Sequence, residues 1–152
     1  MPLSSFAWAI ARLVDPHGLD DGRQIACQRI TSAMKTYPVM VSGPGQLDTV
    51  LMQVMNGKVI AKGGAEGYQL VGIMPGAIPG NSKGTGIAIK VADGDPSRRA
   101  TQRVVAELLK ALGFEEEMSS EAYANFNQPT LRNFRGIEIG KIRLARPIQF
   151  FS

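Results

Sequence analysis

A glycine-rich stretch near the middle of the chain constrains its fold more than any other feature. Lys62-Gly63-Gly64-Ala65-Glu66-Gly67 separates two short apolar runs, at positions 58–61 and 68–74. Both runs are rich in β-branched and aromatic residues, which predicts two strands with a glycine-rich bulge between them. Glycines around one acid and one amine also indicate that the backbone comes close to another group. Open peptide N–H groups there would suit an anion or a developing oxyanion.

The surrounding pattern predicts helices packed on a small sheet. A third strand is expected at 87–91, where Ile87 and Ile89 share one face. Helices are expected from Ser4 or Ser5, over 22–36, as a short segment around Leu51, and from Asp95-Pro96 onward. Neighbouring strands placed between helices in this order predict an α+β fold, with an antiparallel sheet and helices packed against it.

Two helices carry more detailed expectations. The 22–36 segment has an apolar stripe that predicts an inward-facing side, formed by Ile25, Ala26, Ile30, Ala33 and Met34. In the last helix, Asp95 is expected to be the N-cap and Pro96 the first helical residue. Arg98 and Arg99 would then lie in the first turn, where the helix dipole disfavours cations, so an acidic neighbour such as Asp93 is expected.

Composition narrows the class of protein. With 152 residues, the chain fits one domain that can bury its own core. No apolar run reaches the ~20 residues of a membrane helix. The first residues lack the basic lead of a signal peptide, and the single Cys27 excludes an internal disulfide, so we expect a cytoplasmic protein. A small basic nucleic-acid-binding module is an alternative. Against it, the basic residues behind the net charge of +4 are scattered along the chain, and aromatic residues make up only 7% of it.

Several blocks of sequence, taken together, resemble the bacterial L-asparaginase II family, which is related to serine β-lactamase-like folds. The blocks are Met34 to Pro38, Ser42-Gly43-Pro44-Gly45-Gln46-Leu47-Asp48-Thr49, Lys62 to Gly67, Gly86 to Gly94, and Arg99-Ala100. Their order and spacing are similar to those of the C-terminal half of the family. Two departures are Gln46, where the family usually has arginine, and the loop over 75–84, which is long for the family.

The resemblance implies hydrolysis of the side-chain amide of L-asparagine to aspartate and ammonia. It also implies that the family's Ser-x-x-Lys nucleophile and its cysteine–lysine metal site belong to an N-terminal half. We therefore expect one domain over 1–152 without that nucleophile, incomplete as an enzyme alone. We expect no cofactor in this chain, with zinc possible in a complete family member, and a homo-oligomer without nucleic-acid or membrane partners. The alternative is a non-catalytic fragment or partner subunit that needs an N-terminal half.

Three catalytic residues are expected from residue chemistry together with the resemblance: Lys62, Gly63 and Gly64. The peptide N–H groups at the two glycines would stabilise the oxyanion that forms when the amide carbonyl is attacked. The Lys62 ammonium would bind the substrate carboxylate or polarise the nucleophile. These roles place the catalytic part of this chain at the glycine-rich stretch.

Three residues are expected to bind substrate: Asp48, Thr49 and Glu66. A zwitterionic amino acid needs both of its charges held in place, so Asp48 or Glu66 could receive the α-ammonium group. Each acid has an ordinary alternative. Asp48 could instead be a helix N-cap, and Glu66 could form a salt bridge with Lys62 or Lys90.

Two further motifs imitate β-lactamase-type elements. Ser32-Ala33-Met34-Lys35 is a Ser-x-x-Lys on a helix, where a neutral lysine could accept the serine proton. Tyr123-Ala124-Asn125 resembles the Tyr/Ser-x-Asn element of the same enzymes. In those enzymes that element precedes the lysine–glycine strand, whereas here it follows, so we expect neither motif to form the active site.

Overall fold

The computed structural model describes residues 2–127 and 130–150 and confirms the α+β class. The helices within this part are α1 (Leu3–Val14), α2 (Asp21–Thr36), α3 (Pro38–Ser42), α4 (Leu47–Val54), α5 (Arg99–Ala111), α6 (Glu115–Ser119) and α7 (Ala124–Asn127), with a 3-10 turn at Glu121–Tyr123. The strands are β1 (Val59–Gly63), β2 (Tyr68–Ile73), β3 (Thr85–Lys90), β4 (Thr130–Arg132) and β5 (Glu138–Lys141). None of the described helices is long and apolar enough to cross a bilayer.

The main sheet is antiparallel, with strand order β1-β2-β3. The glycine-rich stretch joins β1 to β2 as a hairpin turn, in which Tyr68 N donates to Ala65 O over 3.2 Å. Glu66 and Gly67 both have positive φ, 58° and 65°, which is the pattern of a type I′ turn. Its twist matches that of the strands, so the expected bulge is in fact a tight turn.

Glycines let α1 lie directly on one face of this sheet. A Cβ at Gly86 would overlap the carbonyl of Ala7, and one at Gly72 would lie 2.7 Å from Val14 Cγ1. The opposite face carries Val71 and Gln69, which are both buried. Core residues of α4 and α5 belong to the same cluster as the strands, so helices and sheet share one core.

The first and fifth helices begin differently from the prediction. The N-cap of α1 is Pro2, without a side-chain cap, and neither Ser4 nor Ser5 caps it. Residue Arg98, rather than Asp95, precedes α5, so the expected N-cap and the expected first helical residue Pro96 are both wrong. Asp95 nevertheless stabilises the first turn of α5. Its Oδ2 accepts hydrogen bonds from Thr101 N at 2.8 Å and from Thr101 Oγ1 at 2.9 Å.

The predicted inward side of α2 is confirmed only for Met34, which packs against the core, and is wrong for the other four residues, Ile25, Ala26, Ile30 and Ala33. Ile25 and Ile30 are 56% and 48% exposed, whereas Thr31 is buried. The helix packs through the side that carries Thr31 and Met34, and Thr31 Oγ1 lies 3.0 Å from the carbonyl oxygen of Cys27 in the preceding turn. A stripe of apolar residues shows that one side of a helix prefers burial, but it cannot show whether this chain supplies a partner.

The described C-terminal part forms a small hairpin of its own. Strands β4 and β5 pair antiparallel, with a register shift between Leu131 and Arg132. Ile137 and Ile139 are both exposed. The basic residues Arg132, Arg135 and Lys141 of this hairpin are exposed as well, so they lie on the surface rather than in the main core.

Candidate active site

Asp48 lies at the centre of the polar contacts beneath the β1–β2 hairpin. It belongs to the first turn of α4 and is only 1% exposed. Its Oδ2 accepts a hydrogen bond from Gly63 N, and its Oδ1 accepts one from Gln69 Nε2, each over 2.7 Å. The N-cap of α4 is Gln46, so the N-cap alternative for Asp48 is wrong. A buried carboxylate needs such donors to offset its desolvation, and here it ties a helix to two strands.

The peptide N–H groups of the two adjacent glycines are both used within the fold. Gly63 donates to Asp48, and Gly64 N donates to the carbonyl of Tyr68 over 2.8 Å. Neither amide is therefore a free donor for an oxyanion in this structure. The glycines are needed for a different reason, because a Cβ at Gly64 would lie 2.9 Å from the ring of Tyr68.

Lys62 is exposed on β1, one residue before these glycines. Its Nζ donates a hydrogen bond to the carbonyl of Gly63 over 2.7 Å. Within the described residues, no carboxylate oxygen lies within 4.0 Å of this ammonium group. The cation is held against the backbone and remains open to solvent.

Glu66 lies at the tip of the hairpin in the left-handed region. The expected salt bridges to Lys62 and Lys90 are absent from the ion pairs of the described residues. Lys90 Nζ donates instead to the backbone carbonyl of Glu66 and to that of Val91, the latter over 2.7 Å. The Glu66 carboxylate lies beside Gly94, where a Cβ would come within 2.6 Å of Oε2. The hairpin tip is thus fastened to the loop that follows β3.

Arg98 is a member of this cluster that the sequence reasoning missed. Its Nη2 donates to the carbonyl of Gly64 over 3.0 Å, and a Cβ at Gly63 would overlap its guanidinium group. The expected pairing with Asp93 is therefore wrong for Arg98. Arg99 does not pair with Asp93 either, since its Nε donates to Ser97 Oγ over 2.8 Å. We name the set Asp48, Gly63, Gly64, Gln69 and Arg98 the hairpin corner.

Backbone strain is concentrated next to the hairpin corner. Four non-glycine residues in the described ranges have positive φ, and three of them are Glu66, Asp95 and Arg98. Each such conformation costs about 1 kcal/mol or more, so the surrounding contacts must hold it in place. Asp95 supplies one such contact. Burial raises the pKa of Asp95, but hydrogen bonds from Thr101, Ala100 and Arg99 outweigh burial and hold that pKa below its ordinary value.

Comparison with known families now identifies the class. The family model described as L-asparaginase II matches residues 1–144. The chain belongs to the L-asparaginase II family. The match confirms the resemblance seen in the sequence and supports an asparaginase-like role acting on a small molecule. No curated protein matched the chain.

Thr49, expected to bind substrate in this family, is buried beside Asp48. Its hydroxyl lies 2.6 Å from the carbonyl of Gly43 and 3.1 Å from that of Pro38. Pro38 is the first residue of α3, and Gly43 lies in the loop that leads from α3 into α4. The hydroxyl therefore orders the Ser-Gly-Pro-Gly loop, which is one of the blocks shared with the family.

The two imitation motifs do not join the hairpin corner. Ser32 is exposed on α2 and lines a surface cavity of about 470 Å³ together with Ile25, whereas Lys35 lines a different cavity of about 430 Å³. No hydrogen bond links them within the described residues. Tyr123 is fully buried in the core, and burial raises the pKa of its phenol. Neither motif is arranged as an accessible nucleophile with its base.

The described residues do not fit the zinc that a complete family member could carry. They contain no group of three or more His, Cys, Asp or Glu side chains placed to hold a metal ion. Cys27 is free and half-buried on α2. We therefore assign no step of the reaction to a metal bound by this chain.

Proposed function

We propose that this chain supplies the lysine–glycine side of an active site that hydrolyses the side-chain amide of L-asparagine to L-aspartate and ammonia. Membership of the L-asparaginase II family supports the reaction class. The observation that supports a place for this role in the fold is the exposed ammonium of Lys62 on β1, which has no carboxylate oxygen of a described residue within 4.0 Å. A cation without a counter-ion can attract a substrate carboxylate or favour the ionised form of a nucleophile.

The other expected site residues support that lysine in this proposal. Asp48 holds Gly63 N, which fixes the end of β1 and with it the position of Lys62. Because Asp48 and Thr49 are buried with their polar atoms occupied, we assign them positioning roles rather than direct substrate contact. Gly63 and Gly64 would act in the same way, by letting Arg98 and Tyr68 pack against the strand end. Glu66, exposed at the hairpin tip, remains the proposed partner of the substrate's α-ammonium.

We propose that the nucleophile comes from an N-terminal half of the kind found in complete family members. Ser32 and Lys35 do not meet the hairpin corner, which favours an external nucleophile. The exposed apolar side of α2 favours a covering partner, since contiguous apolar surface on a protein usually marks an interaction site. The alternative, a non-catalytic partner subunit, predicts the same surface but no dependence of activity on Lys62.

The test is ammonia release from L-asparagine by an assembly of this chain with the N-terminal half of a full-length family member. We expect Lys62→Ala to lower kcat/KM by about 100-fold or more, the usual effect of removing a charge-stabilising group. Lys83→Ala, an exposed lysine on the 75–84 loop, is the matched control and should leave the rate unchanged. Wild-type kinetics in the Lys62→Ala assembly would remove this lysine from the site.

A further inference from the structure

Arg98 has a positive φ angle, and its side chain reaches a distant part of the chain instead of its own helix. It adopts φ 54° and ψ 18° immediately before α5, a region that costs a non-glycine residue about 1 kcal/mol or more. Its guanidinium does not cap that helix. It reaches the carbonyl of Gly64, distant in sequence, over 3.0 Å. The strained turn thus directs a cation onto the hairpin corner.

The shape of the strand end matches the flat guanidinium group. At Gly63, a Cβ would lie 3.1 Å from Arg98 Cζ and would overlap Nη1, so glycine is required for the planar group to lie on the backbone. The bond to Gly64 O uses one of its N–H donors. Arg98 is half-buried, and no buried nitrogen of this side chain lacks a partner. Its remaining donors are therefore accessible rather than sealed in the core.

The charge around the strand end is not balanced by carboxylates. Lys62 donates to Gly63 O and Arg98 donates to Gly64 O, so two cations lie on consecutive carbonyls. In the described part of the chain, neither cation has a carboxylate oxygen within 4.0 Å. Asp48, the buried acid nearby, already accepts hydrogen bonds at both oxygens. An external anion would complete this arrangement.

We propose that Arg98 is a substrate-binding residue that holds the α-carboxylate of the amino-acid substrate. This rests on the proposed function and assigns the carboxylate to Arg98, which leaves Lys62 free to act at the amide end. A guanidinium group binds a carboxylate through two parallel hydrogen bonds, a geometry that an ammonium group cannot match. The Asp95–Thr101 hydrogen bonds hold the turn that carries Arg98, so its guanidinium group is in place before substrate binds.

The experiment titrates the purified chain by calorimetry with three probes: L-asparagine, L-aspartate and 3-aminopropanamide. The last compound keeps the amide and amine of asparagine and lacks the α-carboxylate. Arg98→Gly is the key variant, because glycine adopts the positive φ of this position without strain. Arg98→Lys keeps the positive charge but cannot form the two parallel hydrogen bonds of a guanidinium group. Arg99→Ala removes a neighbouring exposed arginine as the matched control, and thermal melting checks that each variant folds.

We expect Arg98→Gly to weaken binding of L-asparagine and L-aspartate by at least about tenfold, the loss of one charge-assisted hydrogen-bonded contact. Arg98→Lys should lie between it and the wild type, and Arg99→Ala should bind as the wild type does. The probe without the carboxylate should bind weakly and equally to all four chains. Unchanged affinities in a folded Arg98→Gly chain, or no binding of L-asparagine and L-aspartate to the wild type, would overturn the inference.

The result also separates this inference from the proposed function. Carboxylate binding that depends on Arg98, in an assembly that releases no ammonia, would keep the inference and reject the amidohydrolase reaction. Ammonia release with an unchanged KM in the Arg98→Gly assembly would keep the reaction and reject Arg98. The two proposals therefore fail in different measurements.

Discussion

The hairpin corner and helix α2 use their residues in opposite ways. At the hairpin corner, most polar groups are paired within the chain: Asp48 accepts hydrogen bonds from Gly63 N and Gln69 Nε2, and Arg98 donates one to Gly64 O, while Gln69 Oε1 is buried without a partner among the described residues. On α2, apolar residues that prefer burial face solvent, with Ile25 and Ile30 both about half exposed. The first region holds most of its polar groups in contacts within this chain and leaves donors of Arg98 accessible, whereas the second exposes apolar side chains to solvent. From this difference we infer that the exposed apolar surface of α2 is available to a partner.

The apolar exposure continues beyond α2. Tyr37 and Val39 are exposed, and Met40 on α3 is 85% exposed. Tyr37 lines the cavity shared with Ile25 and also the cavity shared with Met40, so these residues form one continuous surface. We call Ile25, Tyr37, Val39 and Met40 the α2–α3 face.

The largest expected effect in the isolated chain comes from Asp48→Ala. The substitution leaves Gly63 N without an acceptor and removes one of the two acceptors of Gln69 Nε2, which also donates to Leu70 O, so we expect a loss of about 3 kcal/mol in the free energy of unfolding. Urea denaturation measures it. Asp93→Ala, an exposed acid near the same corner, is the control and should change stability by less than about 0.5 kcal/mol. Equal effects of the two substitutions would contradict the claim that the hydrogen bonds to Asp48 stabilise the fold.

Gly63→Ala should come next. The added Cβ overlaps the Arg98 guanidinium, and displacing that group should cost about 2 kcal/mol. The same substitution in an Arg98→Gly background should cost less, since the clashing group is gone. A double-mutant cycle by urea denaturation measures the coupling between the two positions. Additive losses would show that Gly63 is required for a reason other than Arg98.

Asp95→Asn tests the turn that carries Arg98, through its pH dependence. Because the folded-state pKa of Asp95 is lowered, the ionised carboxylate stabilises the fold above its unfolded pKa, about 3.9, and this contribution is lost as pH falls through the folded pKa. We expect Asp95→Asn to cost about 1 kcal/mol at pH 7, as loss of a helix cap does. The gap to the wild type should shrink below about pH 4. Thermal melts across pH measure this, and a constant gap would contradict it.

The smallest effect on stability is expected on the α2–α3 face. Ile25→Asp and Met40→Asp change exposed side chains, so each should alter the free energy of unfolding by less than about 0.5 kcal/mol. The same substitutions should prevent association with the N-terminal half of a family member, measured by analytical ultracentrifugation. Glu116→Lys, an exposed change on α6, is the control for a charge placed elsewhere. Association that tolerates both aspartates would show that this face is not the contact.

The sequence predicts the three strands of the main sheet well because each is a local pattern, whereas β4 and β5 were not predicted. The glycine-rich stretch and the alternation at Ile87 and Ile89 place β1, β2 and β3 to within about two residues. The Asp95-Pro96 signature predicts a helix, but α5 begins at Arg99, and Asp95 bonds Thr101 from across a strained turn instead of being the N-cap. Local signals therefore give the elements and leave the exact start to tertiary contacts.

The contacts of the site depend on residues far apart in the chain. Asp48 is expected as a candidate from its type, but its bonds to Gly63 and Gln69 cross from a helix to two strands. Arg98 has no local pattern that points to Gly64, although its place before a helix, where a cation is unfavourable, was a signal that something else holds it. The inward face of α2 was mispredicted because it too depends on distant residues. Periodicity identifies an apolar stripe on a helix, but it does not show which other part of the molecule covers that stripe.

Ammonia release from L-asparagine shows whether the nucleophile lies outside this chain, when the chain is measured alone and then mixed with the N-terminal half of a full-length family member. We expect no release by the chain alone and release by the mixture, abolished by Lys62→Ala. Release by the chain alone, lost in Ser32→Ala, would contradict this expectation, because the nucleophile would then lie on α2 rather than in a partner.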